Sequence, residues 1–376
     1  MFDFDKNLID IIEFKQKGPL LDLFTFKNGK KVLTKEDWLL RRKEMFSLAV
    51  ETQFGFMPPK PELLLVEPLD NFLRGFRYYK ITTGTRKNPV SFTVLTKKPE
   101  GEGPFPVVIS GDLSLLYARD NDVFNAFTDN GIMPVFFSRI ELAPDRKEVF
   151  KGALHKAYPE YSFATLAAWA WGYSRVVDAL DFIAFADKTR IAFSGHSRGG
   201  KTALLAGICD ERAQIVHSNG SGCGGSGCYR VSARISTEPN ESYFDIDETL
   251  GAMIKNFPHW LSKEMSEFID NESALPFDQH FLKALVAPRT LLISEGASDA
   301  WANPVGSYLT TMEAKKAFSF VGAEDKLLWY YRKGGHAYKK EDAKMLANVI
   351  RHEFFNEELN NNYFKIPFDT EKIKSF

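Results

Sequence analysis

Residues 193–207 read FSGHSRGGKTALLAG: an apolar run, then Gly195-His196-Ser197-Arg198-Gly199, then a helical pattern. This G-x-S-x-G spacing between a strand and a helix constrains the fold more than any other feature of the chain. A serine on so sharp a strand-to-helix turn forms the nucleophile elbow of α/β sheets, where the turn lifts its hydroxyl into a cleft. The glycines have a steric reason, because a side chain at either site would crowd the strand or helix that the turn brings together. The pattern alone arises by chance in about one in ten chains of this size, given ordinary glycine and serine usage. Its context, TRIAF before and GKTALLAG after, is what makes it specific. The plain alternative is a helix N-cap serine in a tight turn.

The surrounding texture agrees with an α/β sheet. FPVVISG (105–111) and IMPVFFSR (132–139) are near-continuous apolar runs, as in strands covered on both faces. A long helix is predicted at 163–186, then a strand at 189–195, a helix from 199 and a strand at 213–220. Later come a strand at 289–296, a helix near 305–318, a strand at 326–332 and a last helix near 340–355. Such alternation makes a mostly parallel sheet. Upstream, 76–84 and 90–97 alternate well enough for antiparallel pairing, and 34–55 reads as a surface helix with a Thr34/Asp37 capping box. We expect one domain over 1–376, with an N-terminal extension to about residue 100. Residues 221–288 read as an insertion over the sheet's C-terminal edge, where open α/β sheets bind ligands.

Composition removes several classes of function. A chain of 376 residues, 44% hydrophobic, can bury a large core. The formal net charge of −1, with scattered lysines and arginines, offers no surface for nucleic acid. The most apolar long stretch, 163–186, carries Arg175, Asp178 and Asp181 and is too polar to span a bilayer. Three cysteines (Cys209, Cys223, Cys228) match no common zinc spacing, so free thiols in a reducing compartment are expected. The acidic opening MFDFDKNLIDII is unlike a signal peptide, which makes the expected location cytoplasmic, although a chain trimmed of a leader would read the same.

A nucleophilic serine needs a base, and the base needs an orienting acid, in the chain order serine, acid, histidine. His196 is locked inside the elbow, leaving His155, His217, His259, His280, His336 and His352. His336 stands out: it follows the strand LLWYYR, sits in KGGHAY and precedes the last helix, with Gly334 and Gly335 free to turn it toward Ser197. For the acid, Asp299 in SEGASDAWANP is the first choice, following a strand at the right place; the plain alternative is a cap for the helix near Pro304. Glu295, closer to the strand end, is the second choice. Asp278 competes, although a turn before a helix accounts for it.

GHSRGGKTALLAG, SGCGGSGCYR, NFPHWL, LPFDQHFLKALVAPRTLLIS, SDAWANPVGSY and GGHA occur in the order found in one family. The sequence resembles the glucuronoyl esterases, carbohydrate esterase family 15, in a bacterial-type form. The similarity runs from the opening helix, DWLLRRKEMFSLAVETQFGFMPP, and fades after about residue 355. The resemblance implies an α/β-hydrolase sandwich that cleaves esters of 4-O-methyl-glucuronic acid, the bonds between glucuronoxylan and lignin alcohols. It implies Ser197 as nucleophile, His336 as base, and the Arg198 backbone N–H and guanidinium at the oxyanion. Lys201 would touch sugar hydroxyls, and Glu248 and Trp301 would complete the sugar pocket, with Trp301 as its wall. Ordinary readings stand beside these: a solvated helix lysine, a helix N-terminal charge and a core tryptophan.

Two departures are visible. Fungal members carry the triad glutamate where this chain has Gly220, which moves the acid to Asp299, as in some bacterial relatives. They also carry a cysteine before the nucleophile, bonded to one near Cys228, where this chain has His196. The expectation is a serine esterase working by two-step acyl transfer on a small or oligosaccharide uronate ester. It needs no metal or cofactor, and neither nucleic acid nor membrane is a partner. The alternatives are a carbohydrate acetyl esterase and a non-catalytic sugar-binding protein on a hydrolase scaffold.

Overall fold

In the computed structural model, residues 13–70, 75–115, 120–148, 151–235 and 244–364 are described. The strands are β1 (Glu13–Gln16), β2 (Leu63–Leu69), β3 (Phe76–Gly84), β4 (Pro89–Lys97), β5 (Phe105–Ser110) and β6 (Met133–Phe137). They continue with β7 (Ala186–His196), β8 (Ile215–Asn219), β9 (Val231–Ile235), β10 (Phe244–Asp245), β11 (Thr290–Gly296) and β12 (Leu327–Arg332). The α-helices are α1 (Lys35–Met45), α2 (Thr52–Phe54), α3 (Asn121–Thr128), α4 (Ala153–Ala157) and α5 (Thr165–Ala179). After the elbow come α6 (Arg198–Cys209), α7 (Leu250–Asn256), α8 (Gln279–Val286), α9 (Pro304–Val321) and α10 (Lys340–Phe355).

Nine strands form one sheet in the order β12-β11-β8-β7-β5-β6-β4-β3-β2. Its body, from β12 to β6, is parallel, and β4, β3 and β2 extend it antiparallel. The apolar strand runs have a plain reason. Val107, Ile109, Ile191, Phe193, Leu291 and Ile293 join the core under α5, α6 and α8. Their immediate neighbours Val108, Ala192 and Leu292 join the opposite core under α3 and α10. Both faces are covered, so the central runs Val107–Ile109, Ile191–Phe193 and Leu291–Ile293 are apolar without a break. Among the described residues, no helix is long and apolar enough to cross a membrane.

Three expectations shift. The helix predicted at 163–186 ends at Ala179; Leu180–Phe182 wind more tightly, and Phe185 adopts φ 70°. The chain must reverse there, because Ala186 already pairs with Phe105 of β5. The predicted surface helix at 34–55 has its Thr34/Asp37 capping box, but it widens to a π-helix over Phe46–Glu51. It also buries Trp38, Met45, Ala49, Val50 and Phe54, so it is a core-packed element. Within 221–288, β9 pairs with β1 and β10 in a separate three-stranded sheet, which ties the segment to the start of the chain. The three cysteines are free thiols, with Cys223 and Cys228 buried.

Candidate active site

The parallel strand β7 stops at His196 and α6 begins at Arg198, leaving Ser197 alone to make the turn. Ser197 has φ 57° and ψ −122°, a conformation that costs a non-glycine residue about 1–3 kcal/mol. Its backbone N–H donates to Asn219 O at 2.8 Å, which helps hold the turn. A Cβ on Gly195 would lie 2.1 Å from Gly199 O, so the strand could not approach the helix with any other residue. A Cβ on Gly199 would meet the Asp112 carboxylate at 2.2 Å. Asp112 is buried after β5, accepts the His196 N–H at 2.9 Å and pairs with the buried Arg139. The elbow is thus clamped from strand, helix and neighbouring loop.

The relay forms as the sequence predicts. His336 Nε2 lies 2.9 Å from Ser197 Oγ, and His336 Nδ1 lies 2.7 Å from Asp299 Oδ2. A carboxylate only accepts, so Nδ1 carries the proton and Nε2 is left to receive one from serine. The Asp299 hydrogen bond raises the His336 pKa, outweighing the opposing effect of burial. Asp299 serves two purposes with its two oxygens. Oδ1 caps the short turn Ala300–Ala302 through the Ala302 N–H, whereas Asn303 caps α9. The competing helix-cap reading of Asp299 is therefore half right, one turn early, and compatible with the relay.

The other acids separate cleanly. Glu295 Oε1 accepts from Ser226 Oγ at 2.7 Å, and burial raises the Glu295 pKa; it makes no bond to His336. Asp278 is buried, caps α8 and pairs with Arg230. His196 packs beside His336, its ring tilted at 4.7 Å, and bonds Asn219 through Nδ1. Burial, followed by the neighbouring His336, lowers its pKa to about 4 and keeps it neutral.

The expected sugar-pocket residues are placed differently from one another. Lys201 is 2% exposed, and its ammonium donates to Ser221 O, Cys223 O and the Glu248 carboxylate. Three donors meet three acceptors, so in this arrangement Lys201 is neither solvated nor open to a ligand. Glu248 is also buried and takes up the Lys201 charge. Trp301 is 40% exposed, which excludes the core reading, and its carbonyl accepts the Glu248 N–H at 2.9 Å. The backbone N–H of Arg198, at the first helical position, lies outside the intrahelical ladder and is open to an anion.

The Arg198 guanidinium has partners that sequence reasoning missed. It pairs with Asp145 and lies over the rings of Trp260 (4.8 Å) and Phe257 (5.2 Å). Asp145 also accepts from His259 Nε2 at 2.8 Å and Trp260 Nε1 at 2.9 Å. Burial alone would raise the Asp145 carboxyl, but the His259 bond and the Arg198 charge hold it well below the usual carboxylate range. Only the NFPHWL segment, quoted among the family motifs, carried any signal of this cluster.

Comparison with known proteins agrees with this geometry. Residues 81–322 match the family described as glucuronyl esterase, fungi. The 4-O-methyl-glucuronoyl methylesterase of Podospora anserina is 30% identical over 331 residues, covering 85% of this chain and 63% of that protein. The chain therefore spans a little under two thirds of that relative's length. A carbohydrate esterase family 15 glucuronoyl esterase from Caldicellulosiruptor kristjansonii superposes with a TM-score of 0.80 at 29% identity, over 93% of this chain and 94% of that one. The glucuronoyl esterase of Sporotrichum thermophile, as a serine-to-alanine mutant in complex with methyl 4-O-methyl-β-D-glucopyranuronate, gives a TM-score of 0.74 at 21% identity. That match covers 96% of this chain and 95% of the other, and at such identity it speaks for the fold. The matches are fungal and bacterial, so the narrower bacterial-type expectation rests on residues alone. A glycine-flanked serine on a strained turn, a histidine and aspartate in relay, and a family match over residues 81–322 lead to one conclusion: the chain belongs to the glucuronoyl esterase family.

Proposed function

We propose that this chain hydrolyses esters of glucuronic acid and its 4-O-methyl ether by two-step acyl transfer. The observation that carries the proposal is the unbroken relay Ser197 Oγ–His336 Nε2, His336 Nδ1–Asp299 Oδ2 on a strained elbow. The activity named for the Podospora relative and the uronate methyl ester bound by the Sporotrichum enzyme support the substrate class.

In the first step, Ser197 Oγ attacks the ester carbonyl and its proton passes to His336 Nε2. Asp299 stabilises the imidazolium that forms. The tetrahedral oxyanion is held by the Arg198 backbone N–H, with the guanidinium as a second source of positive charge. His336 then gives its proton to the leaving alcohol oxygen as the C–O bond breaks. Water then gives a proton to His336 and attacks the acyl carbon; the bond to Ser197 Oγ breaks, His336 returns the proton to Oγ, and the uronic acid leaves. Every step uses groups of this chain. Trp301 supplies the exposed aromatic face for the sugar ring, and the buried Lys201–Glu248 pair shapes the wall behind it. We place all of this on one α/β-hydrolase domain, with 221–288 as the insertion that forms the pocket.

The test is hydrolysis of methyl D-glucuronate beside p-nitrophenyl acetate, with Ser197→Ala as control. Uronate turnover lost in the variant is the expected result. Turnover of acetate alone would keep the relay and remove the substrate, and a fully active Ser197→Ala would remove both.

A further inference from the structure

We propose that Asp145 is a positioning residue for Arg198, fixing the guanidinium next to the nucleophile and offsetting its charge against the carboxylate of the product. The inference rests on the uronate esterase reading above.

The geometry divides the Asp145 carboxylate into two halves. Oδ1 accepts from His259 Nε2 and Trp260 Nε1, both on the 221–288 segment. Oδ2 takes the Arg198 guanidinium, from the first turn of α6. The indole that anchors Asp145 also carries the cation on its face, and Phe257 stacks flat against that indole at 3.8 Å and 4°. An arginine that is 32% exposed would otherwise sample many rotamers. Held by a carboxylate and packed beside the stacked Trp260 and Phe257 rings, it needs no reorganisation when the oxyanion forms.

Asp145 also acts through its charge. The reaction takes in a neutral ester and releases an anion. A lone guanidinium beside the nucleophile would grip the product carboxylate through charge-assisted hydrogen bonds and slow its release. The nearby guanidinium of Arg139 is already taken by Asp112. Asp145 supplies the matching negative charge for Arg198. Both guanidiniums are thus paired, and the product uronate gains little from either.

Three variants separate the two effects. Asp145→Asn keeps the shape but not the charge, and should lower kcat about tenfold and tighten the inhibition constant for D-glucuronate about fivefold, as expected for freeing a charged donor. Asp145→Glu keeps the charge but shifts it by a methylene, and should lower kcat without tightening glucuronate. In an Arg198→Ala background, Asp145→Asn should change neither quantity, because it acts only through the arginine. The proposal is overturned if Asp145→Asn folds with kcat and glucuronate inhibition unchanged, or if it costs as much with Arg198 absent as with it present. Should Asp145→Asn fail to fold, an unchanged kcat in Asp145→Glu overturns the positional role. The cycle is run on methyl D-glucuronate and on p-nitrophenyl acetate. A wild type active on acetate alone removes the substrate reading, and the acetate cycle then decides the positioning on its own.

Discussion

Two polar clusters lie one turn apart on α6 and treat water in opposite ways. At the N-terminus of the helix, Ser197 meets His336, whose side chain is 35% exposed and which shares its two nitrogens between one hydroxyl and one carboxylate. Four residues on, Lys201 is sealed, with its three donors spent on Ser221 O, Cys223 O and Glu248. The difference is one of purpose. A proton relay must change partners during a reaction, so its histidine stays reachable from the solvent side. A buried ion pair must not, because removing two charges from water is repaid only when every donor is satisfied. The pair knits the 221–223 loop to the helix that follows Ser197.

Substitutions test that contrast directly. The largest effect is expected at Ser197→Ala, where kcat on methyl D-glucuronate should fall by about five to six orders of magnitude. Next is Asp299→Asn, which leaves the histidine in the wrong tautomer and should cost about four orders. Glu295→Gln run beside it should leave kcat near wild type; the reverse pattern would move the acid to Glu295.

Lys201→Met tests the sealed cluster. It strands the Glu248 carboxylate in the interior and should destabilise the fold by about 3–5 kcal/mol in urea unfolding, with much of that recovered by adding Glu248→Gln. A variant of normal stability with a raised KM would instead make Lys201 a sugar contact. The smallest effect concerns pH. As a base His336 is idle while protonated, and the Asp299 bond raises its pKa above the ordinary value of 6.5. The rise of kcat/KM with pH should therefore lie above 6.5 and move to lower pH in the residual activity of Asp299→Asn. A rise at the same pH in both proteins would uncouple Asp299 from His336.

Much of the site was legible because its parts obey local rules. The elbow announces itself through glycines that no other residue can replace, since a Cβ at Gly195 would strike Gly199 O. His336 was legible from its loop after the last strand. The acid was less so: Asp299 and Glu295 leave the same strand four residues apart, and only the side-chain directions, one toward His336 and one toward Ser226, separate them. The partners of Arg198 gave no signal as a group. Asp145 follows β6, and His259 stands 114 residues later, so nothing in their spacing foretells a shared hydrogen bond. The three-stranded sheet escaped for the same reason, because β1 pairs with a strand more than two hundred residues away.

Local patterning alone specified the α/β architecture, the elbow and the chain order serine, acid, histidine, because strand burial, helix caps and tight turns depend on residues close together in the chain. The tertiary structure decided which carboxylate meets His336, that Lys201 is sealed while Trp301 is open, and that Asp145 holds Arg198. Those outcomes depend on which loops converge at the end of the sheet, and convergence is a property of the packed layers. Short-range patterning chooses the elements; only their packing assigns each buried charge its partner.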